Sequence, residues 1–194
     1  MKTLLITGFD PFNGGAVNPS WEAVKLLPDR IGEYTLCKLP LPTQYETAPA
    51  LLLEKASEVH PDVILSIGQA GGRDAVTPER IAVNIRDARI ADNAGIFRNG
   101  QRIDPAGDAA YFCTVPVEAM AQAIRSISIP ASVSNTAGTF VCNDVLYSIL
   151  RHYYGTSVRC GFIHVPYLPE QGTPNLPLEQ TVRALTAAIE ALDT

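Results

Sequence analysis

The chain has 194 residues, of which 46% are hydrophobic and 18% charged, with a formal net charge of −5 and a sequence pI of about 5.2. An acidic surface with scattered basic residues argues against nucleic-acid and anionic-membrane partners, and no apolar run approaches the length of a membrane-spanning helix. The length suits one domain over residues 1–194 with one substantial core.

The N-terminal MKTLLITGFDPF has an apolar run too short for a signal peptide, so a cytoplasmic location is expected. Thr3–Thr7 reads as a buried strand closed by Gly8, followed by the loop FDPFNGGAVNPS. A helix over Ser20–Leu27 has Asn18 as its expected N-cap, Pro19 at its first position and Pro28 as its stop. Tyr34–Leu39 is the next expected strand. The pair Thr43 and Glu46 has capping-box spacing, which predicts a helix from about Thr43 to Val59, kinked or shortened by Pro49. Val63–Ile67 is another buried strand, followed by GQAGGRDAVTPE. Arg80–Ile85 alternates weakly as a strand. The polar segment Arg86–Ala110 is long for a loop and reads as a hairpin, a lid or an interface arm. Tyr111–Val115 is a short strand, and Pro116–Ile127 a helix with Met120, Ala123, Ile124 and Ile127 inward.

The most informative stretch is Ser134–Leu150, SNTAGTFVCNDVLYSIL. A β-branched run, Ala131–Val133, leads into it. From Asp144 onward, Val145, Leu146, Ile149 and Tyr153 recur at helical spacing. Cys142 therefore stands at or just before a helix N-terminus, where unpaired N–H groups and the helix dipole should favour the thiolate and offer an oxyanion site. The same position also suits an inert thiol packed beneath a helix. Val158–Val165 is the last strand, and after a Pro-rich loop Leu178–Leu192 forms the last amphipathic helix. Apolar strands alternating with helices indicate an α/β fold, a three-layer α/β/α sandwich around a mixed, mostly parallel, twisted sheet.

In such sheets sites form at the carboxyl ends of strands, and the loops Gly8–Gly15, Gly68–Glu79, Ser134–Cys142 and His164–Thr173 should converge there. Of the histidines, His152 lies ten residues beyond Cys142 on the same helix, out of reach of the sulfur. His60 precedes Pro61 at the wrong end of a strand, where a helix-terminus role fits. His164 ends its strand on the same edge as Cys142 and is the one histidine placed to act as a base. A strand-capping histidine is the plain alternative. Asp10, Asp74, Glu79, Asp87, Asp92 and Glu170 are all open as its orienting acid. Gly68–Arg73 matches no nucleotide-binding pattern and suits equally a close backbone approach to a ligand. Cys37, Cys113 and Cys160 lie in strand patterns as inert core thiols. With no C-x-x-C pair and no histidine at ligand spacing, neither disulfides nor a metal site is expected, and no cofactor is called for.

Four segments in order, TGFDPFNGG with NPSWEAV, GQAGGR with PERIAVN, SNTAGTFVCN, and FIHVPYLPEQ, resemble the pyroglutamyl peptidase I (pyrrolidone-carboxylate peptidase) family of cysteine peptidases over essentially the whole chain. The resemblance implies a phosphorylase/hydrolase-like fold and removal of N-terminal pyroglutamyl residues from peptides through a thioester. It implies Cys142 as nucleophile, His164 as general base and acid, and Glu79 as the acid orienting the imidazole. It further implies Arg89 near the oxyanion, with Gln69 offering backbone hydrogen bonds and Phe9, Phe12, Phe140 and Val141 lining the pocket. A homotetramer is implied as well, with Arg86–Ala110 as an interface. A phosphate-using transferase and a catalytically silent binding protein are the competing readings of the same layout.

Overall fold

The structure, a computed structural model, describes residues 1–193. Its centre is a six-stranded sheet in the order β2-β3-β1-β4-β8-β5. The inner strands β3 (Tyr34–Leu41), β1 (Lys2–Phe9), β4 (Val63–Gln69) and β8 (Arg159–Val165) are parallel, and the edges β2 (Arg30–Ile31) and β5 (Thr77–Pro78) are antiparallel. The inner strands are apolar at nearly every position because both faces are covered. Leu4, Ile6, Val63, Leu65 and Ile67 pack on the face that carries α1 (Pro19–Leu26), α3 (Val117–Ser126) and α5 (Leu178–Glu190). Leu5, Ile64, Cys160 and Phe162 pack on the other, under α2 (Thr47–Val59) and α4 (Val141–His152). The expected mixed, mostly parallel α/β/α sandwich is what forms. Among the described residues no helix is long and apolar enough to cross a membrane.

The start of α1 follows its sequence signals. Asn18 accepts from Ser20 N at 3.1 Å and from Ser20 Oγ at 2.8 Å, with Pro19 at the first helical position. Ser20 Oγ in turn accepts from Phe9 N at 3.0 Å, so the cap also fixes the exit of β1.

The start of α2 does not follow its signals. The helix begins at Thr47, and its N-cap Glu46 has φ 61° and no side-chain cap bond. Thr43 is buried, donating from N to Asp10 Oδ1 at 2.7 Å, and Glu46 instead pairs with Arg98 at 2.7 Å and Arg86 at 3.1 Å. Long-range polar partners here outcompete a local box. Pro49 falls in the first turn, where no intrahelical N–H bond is lost, so it neither kinks nor breaks the helix. His60 closes α2 as its C-cap at φ 45°.

Three segments differ from expectation. The predicted strand over Arg80–Ile85 shrinks to β6 (Ile81–Val83), which pairs antiparallel with β7 (Ala110–Phe112) outside the main sheet. The run Ala131–Val133 forms only a bridge from Ala131 to Val76. On α3, Ala121 is fully buried beside Met120 and Ile124, while Ala123 and Ile127 are half-buried. The edges β2 and β5 have too little pattern to be read from sequence. The last helix stops at Glu190 and continues as a single 3-10 turn, Ala191–Asp193.

The segment Arg86–Ala110 is a strap bound to the body. Its first part closes on itself where Arg86 and Gln101 exchange backbone bonds at 2.7 and 3.0 Å, and Arg86 pairs with buried Asp144 of α4 at 2.8 Å. Its far end is held by Asp92, which accepts from Tyr45 N at 2.9 Å, and by Asn93, which donates to Asp10 Oδ1 at 3.1 Å. The strap is thereby laid across the loops that follow β1 and β3.

Candidate active site

Strand pairing assembles the site. In the parallel pair of β4 and β8, Gly68 and His164 are register partners near the carboxyl ends. On the far side of β8, the edge strand β5 sets Thr77 opposite His164, and Glu79 N donates to Phe162 O at 2.9 Å. That pairing carries Glu79 back along β8, where its Oε1 lies 2.7 Å from His164 Nδ1. Glu79 is completely buried and His164 is 4% exposed.

Cys142 is the second residue of α4, whose first turn is Val141-Cys142-Asn143-Asp144. Asn143 locks this turn to β6 with bonds to both Val83 N (3.0 Å) and Val83 O (2.8 Å). The Cys142 sulfur reaches over the sheet to within 3.0 Å of where a Cβ would stand on Gly68, the neighbour of His164. Thiol and imidazole therefore share the exit of the central strands. The glycine is a steric requirement, since that Cβ would also lie 2.7 Å from the Phe162 ring. Gly68→Ala should displace the sulfur by a few tenths of an ångström and lower kcat/KM roughly 10- to 100-fold. Steady-state kinetics checks this, and unchanged kcat/KM would refute the close approach.

The electrostatics correct one expectation. A thiol at a helix N-terminus is predicted to ionise easily, yet burial pushes Cys142 up to about 12, with the Glu79 charge adding to the rise and Arg73 opposing it. Desolvation beneath α4 outweighs the helix end. Burial likewise pushes His164 below its ordinary value, against the pull of its bond to Glu79. Burial opposes charge on Glu79 too, but the bond from His164, together with Ser134 and Arg73, holds that carboxyl below the usual range. The resting site is thus a neutral thiol, a neutral imidazole and a carboxylate.

The remaining expected residues divide. Phe140, the N-cap of α4, faces Phe12 at 6.0 Å between ring centroids, and Val141 is buried beside it. Phe9 is 2% exposed and lies in the core against Phe162, 6.3 Å between centroids. Gln69 is half-buried, and its side chain accepts from Gln171 Nε2 at 2.9 Å. It lines a cleft of about 330 Å³ together with Phe12, Val17, Tyr167 and Gln171. Arg89 is exposed on the strap, and its side chain has no hydrogen-bond or ion-pair partner among the described residues. The strap nonetheless passes close to the Cys142 loop, because Asp87 N donates to Thr139 O at 2.9 Å.

Among the candidate acids, Asp10 and Asp92 bind loop and strap, Asp74, Asp87 and Glu170 are exposed, and Glu79 alone meets His164. His152 is exposed on α4. Cys160 is buried, Cys37 and Cys113 half-buried, and burial raises Cys113 and Cys160. Among the described residues no cluster of His, Cys, Asp and Glu could hold a metal.

Two residues had no sequence signal. Tyr45 sets its ring edge-on to Phe140 at 5.4 Å between centroids. Arg73, read only as the end of a glycine-rich loop, places Nη1 2.6 Å from Glu79 Oε1. A lone arginine after two glycines carries no local mark of an acid six residues on.

Comparison with known proteins agrees with this layout. The sequence matches the family described as pyroglutamyl peptidase over residues 1–194. It is 52% identical to the pyrrolidone-carboxylate peptidase of Levilactobacillus brevis, with 97% of this chain and 96% of that one covered. It is 50% identical to that of Staphylococcus aureus strain JH9, covering 97% and 92%. The pyroglutamyl peptidase I of Bacillus amyloliquefaciens superposes with a TM-score of 0.95 at 42% identity, over 99% of this chain and 97% of that chain. The pyrrolidone carboxyl peptidase of Thermococcus litoralis gives 0.95 at 35% identity, over 99% and 93%. The chain belongs to the pyroglutamyl peptidase family, and is a peptidase.

Proposed function

We propose that this peptidase, acting as one domain over residues 1–194, removes an N-terminal pyroglutamyl residue from peptides by thioester chemistry, with Cys142 as nucleophile. The observation that carries the reading is the 2.7 Å contact of His164 Nδ1 with buried Glu79, beside a half-buried cysteine at the start of a helix. Glu79 keeps the imidazole proton on Nδ1, which leaves Nε2 free to accept the thiol proton. As that proton moves, the sulfur attacks the pyroglutamyl carbonyl. The oxyanion is held by the Cys142 N–H and Arg89. His164 returns the proton to the leaving amine as the C–N bond breaks. It then takes a proton from water, whose oxygen attacks the thioester, and gives it back to the sulfur as the acid departs.

The lactam is neutral and lacks an α-ammonium group. Walls of Phe12 and Phe140, backed by the core cluster that holds Phe9 and Val141, with backbone bonds at Gln69 suit it. A peptide with a free charged amine would lose hydration there with no acidic partner, which selects against it. The substrates are pyroglutamyl peptides in the cytoplasm, and the working form is a homotetramer in which the strap is an interface.

Hydrolysis of a chromogenic pyroglutamyl amide with and without iodoacetamide tests reaction, substrate and nucleophile together. Phosphate-independent turnover abolished by alkylation is expected, whereas phosphate dependence or indifference to alkylation would refute the reading.

A pH dependence follows from the burial of His164. Activity needs the neutral imidazole, and burial disfavours its charged form, so activity is lost only as pH falls through a value below the usual 6.5. The acid limb of kcat/KM should therefore lie below 6.5. A limb above the ordinary histidine value would contradict a buried general base.

A further inference from the structure

Beyond the triad, the Glu79 carboxylate has a second partner of full charge. Arg73, at the end of the glycine-rich loop after β4, is half-buried and pairs through Nη1 with the buried Glu79. Its Nη1 donates to Glu79 Oε1 at 2.6 Å and also to Thr77 Oγ1, and its Nη2 donates to Thr136 O at 2.9 Å. Oε1 is the same oxygen that His164 Nδ1 meets at 2.7 Å. The imidazole and the guanidinium thus converge on one oxygen. Arg73 also ties its own loop to the Ser134–Thr139 turn that leads to Cys142, adding a side-chain link to the backbone bridge between Glu79 and Ser134.

We propose that Arg73 is a positioning residue of this active site, holding Glu79 as a carboxylate aimed at His164 Nδ1 and fixing the loop that delivers Cys142. The inference rests on the triad assigned above. A guanidinium on Oε1 makes that oxygen a weaker base. Glu79 then orients the imidazole without drawing a further proton onto the pair, and Nε2 stays unprotonated at neutral pH. Without the guanidinium, the buried carboxylate keeps only uncharged partners, His164 and Ser134. The Glu79–His164 pair then captures a proton at higher pH, and in either arrangement of that proton the base is lost: an imidazolium has no free Nε2, and a protonated Glu79 donates to Nδ1 and forces the proton onto Nε2. The other ionisable groups around the pair are the thiols of Cys142 from α4 and Cys113 after β7, both kept neutral by burial, so Arg73 is the cation that sets this balance.

The proposal separates charge from bridging geometry, and two variants read them apart. In Arg73→Gln, kcat for a pyroglutamyl amide should fall about 10- to 100-fold with KM nearly unchanged, and the acid limb of kcat/KM should move up by about one pH unit or more. In Arg73→Lys, the charge remains but the fork to Thr136 O is lost, so the limb should stay near its original place while kcat falls. In the background of Glu79→Gln, adding Arg73→Gln should move the limb no further. Thermal melting identifies variants that fail to fold, and the lysine variant, which keeps the buried charge, serves if the glutamine one does. A folded Arg73→Gln or Arg73→Lys enzyme would overturn the proposal if the first kept its acid limb or the second moved it as far as the loss of charge does. If alkylation of Cys142 leaves wild-type turnover intact, the triad itself fails, which is a separate outcome.

Discussion

Cys142→Ala is expected to reduce turnover of a pyroglutamyl amide by at least about 10⁴-fold, to background, while the protein remains folded. The side chain that disappears is small and half-buried, and its sulfur lies against the backbone of Gly68. Removing it leaves a modest void beneath α4 and no unpaired polar group, so folding should suffer little. Everything that depends on a nucleophile goes at once. Cys142→Ser is the sharper comparison. The same burial that pushes the thiol up to about 12 acts on a hydroxyl that is less acidic to begin with, so serine should restore only a trace of activity. The measurement is kcat at saturating substrate, with circular dichroism to verify folding. Ordinary turnover in the alanine variant would remove the basis of the proposed chemistry.

Glu79→Gln should lower kcat by about 10²- to 10⁴-fold with little change in KM. The carboxylate accepts at Oε1 from both His164 and Arg73. An amide in its place can turn its NH₂ toward Nδ1, which drives the imidazole proton to Nε2 and aims it at the sulfur instead of a lone pair. Because the proposed substrate contacts are elsewhere, the loss should appear in the chemical step. A drop confined to KM would mean that Glu79 shapes the pocket and does not orient the base.

Local chemistry was legible wherever the chain decides its own conformation. Asn18 and Pro19 start a helix because cap and first position are adjacent in sequence, and the central strands are recognisable because a strand covered on both faces must be apolar throughout. His164 could be assigned to the correct edge for the same reason, since direction in a parallel sheet fixes which loops meet. The errors occur where partners lie far apart in the chain. Thr43 and Glu46 have the spacing of a capping box, but Thr43 Oγ1 donates to the Asp10 carbonyl and Arg86 and Arg98 claim the Glu46 carboxylate. The two-residue strand β5 has no pattern of its own, yet it is what carries Glu79 alongside His164. Position at a helix end suggested an acidic thiol, and only the depth of packing around Cys142 reverses the sign. Arg73 was invisible for the same reason, since its importance lies in a carboxylate that the fold brings to it.

The most direct test of a covalent cysteine mechanism is acid-quenched mass spectrometry during turnover of an activated pyroglutamyl aryl ester, chosen so that release of the acyl group limits the rate. The account predicts one added pyroglutamyl group on the peptide containing Cys142, accumulating within the first turnover and absent in Cys142→Ala. An adduct on any other residue, or equal turnover by an enzyme that never carries the adduct, would contradict it.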